Sequence, residues 1–108
     1  LESSEAVKYN PEHNLFVAQA LTGLAELARI QNNFQEALSK HSESIKIFNK
    51  INAHRYDLAA AYFQLGLTYQ KMGEFQNSQI NFEQAIILFT EAEIPLQVER
   101  VQKAIQKQ

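Results

Sequence analysis

YFQLGLTYQKMGEFQNSQINFEQA, residues 62–85, sets large residues beside small ones at helical intervals and interrupts them once. The large positions are Tyr62, Leu65, Tyr69, Phe75 and Phe82, the small ones Gly66, Ser78 and Ala85, and the interruption falls at Met72 and Gly73. Spacings of three and four put the apolar members of each half on one helix face. Gly73 supplies the left-handed conformation that ends a helix without a Cβ penalty. The stretch therefore reads as two antiparallel helices, with the small residues where the helices approach and the large ones filling the space beside them.

A shift of 41 residues finds the same unit upstream: Val17 falls on Leu58, Ala20 on Ala61, Leu24 on Leu65, Phe34 on Phe75, Ile45 on Ile86 and Phe48 on Phe89. In the first unit Val17, Ala20, Leu21, Leu24, Leu27 and Ala28 are expected to form the buried face of one helix. After a break at Gln31, Asn32 and Asn33, the residues Phe34, Ala37, Leu38, His41, Ile45 and Phe48 form that of a second. Asn10 before Pro11 is an N-cap followed by proline at the first helical position, where a missing N–H costs nothing. Past Pro95, Ile94, Val98, Val101 and Ile105 make one apolar stripe, with Gln97, Glu99, Arg100, Gln102, Lys103, Lys107 and Gln108 around it. A repeat array needs such an end helix, apolar inward and polar outward. Residues 1–10 are a lead, with Glu5 to Tyr9 a candidate for the end of an upstream helix.

The set Tyr62, Leu65-Gly66, Tyr69, Gly73, Phe75, Ser78, Phe82 and Ala85 resembles the tetratricopeptide repeat, with Ser78 in place of the usual Ala. The first unit is a weaker copy through Leu21, Leu24-Ala25, Ala28, Asn32, Phe34, Ala37, His41 and Ser44. Its period exceeds the family's usual length of about 34 residues and is similar to a long-repeat branch found in bacterial regulators and large signalling proteins. The resemblance implies an all-α fold, an antiparallel helix-hairpin solenoid. Repeat 1 spans about 15–51, repeat 2 about 56–92 and a capping helix about 95–107, in one domain over 1–108. It also implies a module that binds a protein or peptide in a concave groove.

Composition agrees with an interaction module and excludes several alternatives. The 45% hydrophobic content suffices for a core, and a net charge of −2 offers no overall field for a polyanion, so nucleic acid is not the expected partner. No apolar run approaches the length of roughly 20 residues that spans a bilayer. The absence of Cys excludes disulfides and thiolate chemistry and suits a reducing, cytoplasmic compartment. The chain opens with Leu1 and reads as a piece of a longer protein. No cofactor motif is present: Gly23, Gly66 and Gly73 stand singly rather than in a phosphate-binding loop. The histidines His13, His41 and His54 have no partners at metal-ligand spacing; His41 takes a core aromatic position of the repeat, and the other two lie near helix starts. Ser44, three residues from His41, lacks the elbow and orienting carboxylate of a nucleophile and takes a small-residue packing position. The chain is accordingly not read as an enzyme.

By the same resemblance, Phe63 and Leu67 lie on the groove-lining face of the second unit's first helix, where an exposed apolar pair would anchor a peptide. Their alternative is to pack against the terminal helix or a second copy of the chain. Counting that helix back by 40 residues lays Val98, Val101 and Ile105 on Leu58, Ala61 and Leu65, and brings Arg100, Lys103 and Lys107 to the groove. With Lys71 and Arg29 they make a basic rim round an apolar centre, so the expected partner is an acidic, partly apolar segment; self-association as a homo-oligomer is the rival. The family's carboxylate clamp is not expected, because its Lys and Asn groove pattern is missing from Gln19, Thr22 and Glu26.

Overall fold

The computed structural model describes residues 10–108, which form five helices and no strand. These are α1 (Pro11–Ile30), α2 (Phe34–Lys50), α3 (Arg55–Lys71), α4 (Phe75–Glu91) and α5 (Pro95–Gln106). Neighbours in sequence are neighbours in space: α1 with α2 and α3 with α4 are closely packed hairpins, α3 packs on α2, and α5 on α4. The result is an antiparallel helical-hairpin array closed by a C-terminal helix. The reading of Glu5 to Tyr9 lies outside the described residues.

The helix ends follow from local chemistry. Asn10 has an extended backbone, and its side chain accepts a hydrogen bond from the His13 N–H at 3.0 Å, satisfying one of the donors a helix leaves free at its start. All four joints close by one device. Asn32, Asn52, Gly73 and Glu93 have φ of 62°, 56°, 80° and 60°. The residue after each donates back to the carbonyl of Ala28, Phe48, Tyr69 or Phe89 at 2.8–3.0 Å. This is the Schellman closure of a helix C-terminus. Gly73 adopts it without strain; Asn32 adopts it as the non-glycine residue most tolerant of it. The departure from Gly at position 32 therefore changes a side chain and leaves the turn intact.

The core is built from the small residues. Ala18, Leu21, Ala25 and Ala28 of α1 are buried, with Ala37, His41, Ser44 and Phe48 of α2. In the second hairpin Ala59, Ala61, Phe63, Gly66 and Thr68 of α3 and Ser78, Phe82, Ala85, Leu88 and Phe89 of α4 are buried. Because α3 has neighbours on several sides, its buried residues surround it rather than forming one stripe. An ideal Cβ on Gly66 would lie 2.5 Å from Cδ1 of Phe82, so only glycine admits that ring. The expected core face of α1 is corrected. Ala20, Leu24 and Leu27 are exposed, and the covered stripe is the one displaced round the helix to Ala18, Leu21, Ala25 and Ala28. Both stripes are apolar with helical spacing, and only the one through Ala18, Leu21, Ala25 and Ala28 is met by α2 and α3.

Candidate functional site

The helix α5 lies across the open end of the second hairpin, burying Val101 and Ala104 with Val98 and Ile105 half-buried. The Gln70 amide of α3 donates to the Ala104 carbonyl at 2.8 Å and ties the two helices together. Their junction forms an open depression of about 390 Å³, lined by Phe63, Leu67, Gln70, Arg100, Lys103, Ala104 and Lys107. Five of the seven groove residues expected from sequence thus share one surface: Phe63, Leu67, Arg100, Lys103 and Lys107.

Their roles within it differ from the expected ones. Phe63 is only 7% exposed and belongs to the core, its ring centroid 5.9 Å from that of Phe82. The Arg100 guanidinium carbon sits 5.7 Å from the Phe63 ring centroid, a cation–π contact that closes over it. Packing against the terminal helix, the alternative weighed for Phe63, is what the chain does. Phe63 is therefore the floor of the depression, and Leu67, half-buried, is its accessible apolar member. Lys103 pairs with Glu99 at 3.3 Å, an exposed pair one helical turn apart, which is easily exchanged for another anion. Arg100 donates to Gln97 Oε1 at 3.1 Å.

Arg29 and Lys71 lie elsewhere. Arg29 donates to the backbone carbonyl and to Oε1 of Gln64, at 3.3 and 2.7 Å, and the Lys71 ammonium donates to the Arg29 carbonyl at 3.2 Å. Both cations are spent joining α1 to α3. Burial pushes the Arg29 guanidinium down from its usual range, with Glu26 opposing. Sequence periodicity placed them on a common face; it contains no signal for the inter-repeat hydrogen bonds.

Of the residues weighed for chemistry, His41 and Ser44 are buried in the packing. His41 is fully buried. The Thr68 hydroxyl donates to the Gln64 carbonyl at 3.1 Å, which leaves it to accept from Nε2–H of His41 at 2.8 Å. The ring is then the neutral Nε2–H tautomer, and its buried Nδ1 has no hydrogen-bond partner among the described residues. Burial first, and the Arg29 charge second, push its pKa down to about 4. The Ser44 hydroxyl donates to the His41 backbone carbonyl at 3.0 Å rather than to the imidazole, so the two do not form a nucleophile–base pair. His13 and His54 are exposed. Among the described residues no three of His, Asp and Glu converge as metal ligands, and no helix is long and apolar enough to cross a membrane.

Stacked antiparallel hairpins with graded small and large residues define a helical-repeat architecture. A family model of the tetratricopeptide repeat matches residues 16–91, and the chain belongs to that family. Its repeats mediate protein–protein interaction. Neither the curated proteins nor the solved structures gave a match to this chain.

Proposed function

We propose that the depression between α3 and α5 binds an acidic, partly apolar segment of another protein. The observation that carries this reading is the convergence of Arg100, Lys103 and Lys107 around Leu67 on one surface of a chain whose net charge is −2. A local cluster of cations steers an anionic partner over the screening distance of roughly 8 Å at physiological salt, and a short apolar contact then slows its departure. Arg100 held over Phe63 is presented in a fixed place, which lowers the entropy lost when it engages a carboxylate. Fluorescence anisotropy with a labelled peptide alternating Glu and Leu tests it. Reversing Lys103 and Lys107 to Glu should weaken binding about tenfold or more, or 1.4 kcal/mol and upward, and flatten its salt dependence. Leu67→Ala should chiefly speed dissociation. Equal binding of a Lys–Leu peptide, or indifference to both substitutions, overturns the reading.

A further inference from the structure

The depression between α3 and α5 has a neighbour one helix earlier. Between α1 and α3 lies a smaller hollow of about 110 Å³, lined by Gln19, Thr22, Phe48, Asp57, Ala60 and Ala61. The two are successive parts of one groove: a shift of 41 residues carries Thr22 to Phe63, and the count of 40 that aligns α5 carries Ala60 to Arg100. Asp57, Ala60, Phe63 and Leu67 follow intervals of three, three and four, so the face of α3 between the two hollows turns gradually from α1 towards α5. Their charges are opposite. The α5 side is lined by Arg100, Lys103 and Lys107, and the α1 side by Asp57.

Asp57 is half-buried, and among the described residues its carboxylate has no hydrogen bond or ion pair. The start of α3 favours an acid, which accounts for an Asp in the first turn. It does not account for an Asp lining a hollow that offers it no donor. The Thr22 hydroxyl donates to the Ala18 carbonyl at 3.1 Å and leaves only its oxygen to the hollow. A carboxylate partly removed from water and without a donor gains from any cation that reaches it. Arg29 and Lys71 do not reach it: they are joined to Gln64 and to the Arg29 carbonyl at the other ends of α1 and α3. Lys71 lies about 21 Å from Asp57 along α3, at 1.5 Å per residue.

We infer that the segment bound between α3 and α5 continues across α3 and places a Lys or Arg of its own against Asp57. This rests on the acidic-segment reading above and adds a second charge of opposite sign, in a fixed order, to the partner. At about 110 Å³, against the roughly 300 Å³ and more of small-molecule pockets, the hollow takes the head of one side chain rather than a separate ligand. The stem of that side chain lies over Ala60, as long cationic side chains lie over apolar surface. Arg100 stands over Phe63, about 9 Å further along α3 than Asp57 and one interhelix distance of roughly 8–10 Å to the side. The direct span of roughly 13 Å is about four residues of extended chain. A segment laid the other way would bring like charges together at both hollows, so the charge order fixes which end lies at α1.

Fluorescence anisotropy with three labelled peptides tests it: the alternating Glu–Leu peptide carrying Lys about four residues beyond its last Glu, the same peptide with Gln there, and one with the Lys moved next to that Glu. The distant Lys should tighten binding about threefold over Gln, the size of a part-exposed ion pair. The adjacent Lys falls among the cations of α5 and should gain nothing. Asp57→Asn should abolish the gain and leave the Gln peptide bound as by the parent, which also shows that the variant is folded. Glu83→Gln removes an equal charge from the exposed surface of α4 and should keep the gain. A distant Lys that binds no tighter than Gln, an equal gain from the adjacent Lys, a gain that survives Asp57→Asn, or one lost in Glu83→Gln overturns the inference while the acidic-segment reading stands. A Gln peptide that does not bind the parent at all overturns both.

Discussion

The two hairpins solve one packing problem with different residues. In the second, Phe82 lies against Gly66; in the first, the same two positions hold His41 and Ala25, both buried. The smaller ring is paired with the larger small residue, so the volume at the crossing is shared out differently along the same pair of helices. The exchange has a polar consequence. Phe82 needs no hydrogen bond, whereas a buried imidazole must place its N–H, and it does so on Thr68 of the next hairpin. The first crossing is therefore coupled to its neighbour by a hydrogen bond and to pH by a titratable ring.

The largest effect should come from the tighter of the two crossings. Gly66→Leu forces a side chain into the space of the Phe82 ring and should cost more than about 3 kcal/mol, exceeding the gain of roughly 1 kcal/mol from removing a helical glycine. Thermal or denaturant unfolding of the variant measures it; an unchanged midpoint would mean that the glycine is not required by packing.

The second prediction concerns His41 and pH. Its folded pKa of about 4 is below the unfolded value of 6.5, so the unfolded chain binds the proton more readily. Its neutral form is fully accommodated above pH 6.5, and stability falls as pH drops from there towards about 4, by up to roughly 3 kcal/mol from this group. Urea midpoints taken across that interval should show the slope, and a His41→Gln chain should have a shallower one.

A smaller effect tests whether the crossings are interchangeable. His41→Phe alone crowds Ala25 and should destabilise by about 1–3 kcal/mol. Adding Ala25→Gly reproduces the second hairpin's pair and should recover at least half of that loss. A double-mutant cycle reads the coupling; strict additivity would show that the two positions do not share a volume.

Much of the architecture was legible in the sequence because it is written in local terms. The cap at Asn10, the joint at Gly73, the helical glycine at Gly66 and the core placement of His41 follow from spacing or backbone chemistry within one unit, and the 41-residue register from laying one unit on the other. That Arg100, Lys103 and Lys107 share a surface with Leu67 was legible as well. Arg100, Lys103 and Lys107 reach Leu67 because the 40-residue count back from α5 keeps the helical phase. Tertiary structure alone decided which apolar faces are covered. On α1 the stripe through Leu24 and Leu27 and the stripe through Ala25 and Ala28 have equal helical periodicity, and only the position of α2 and α3 chooses between them. Phe63 became core because α5 folds over it, and Arg29 left the groove because Gln64 of another helix offers it two acceptors. A hydrophobic period says that a helix has a face to bury; the neighbour that buries it is set by packing between units, where residues far apart in the chain meet.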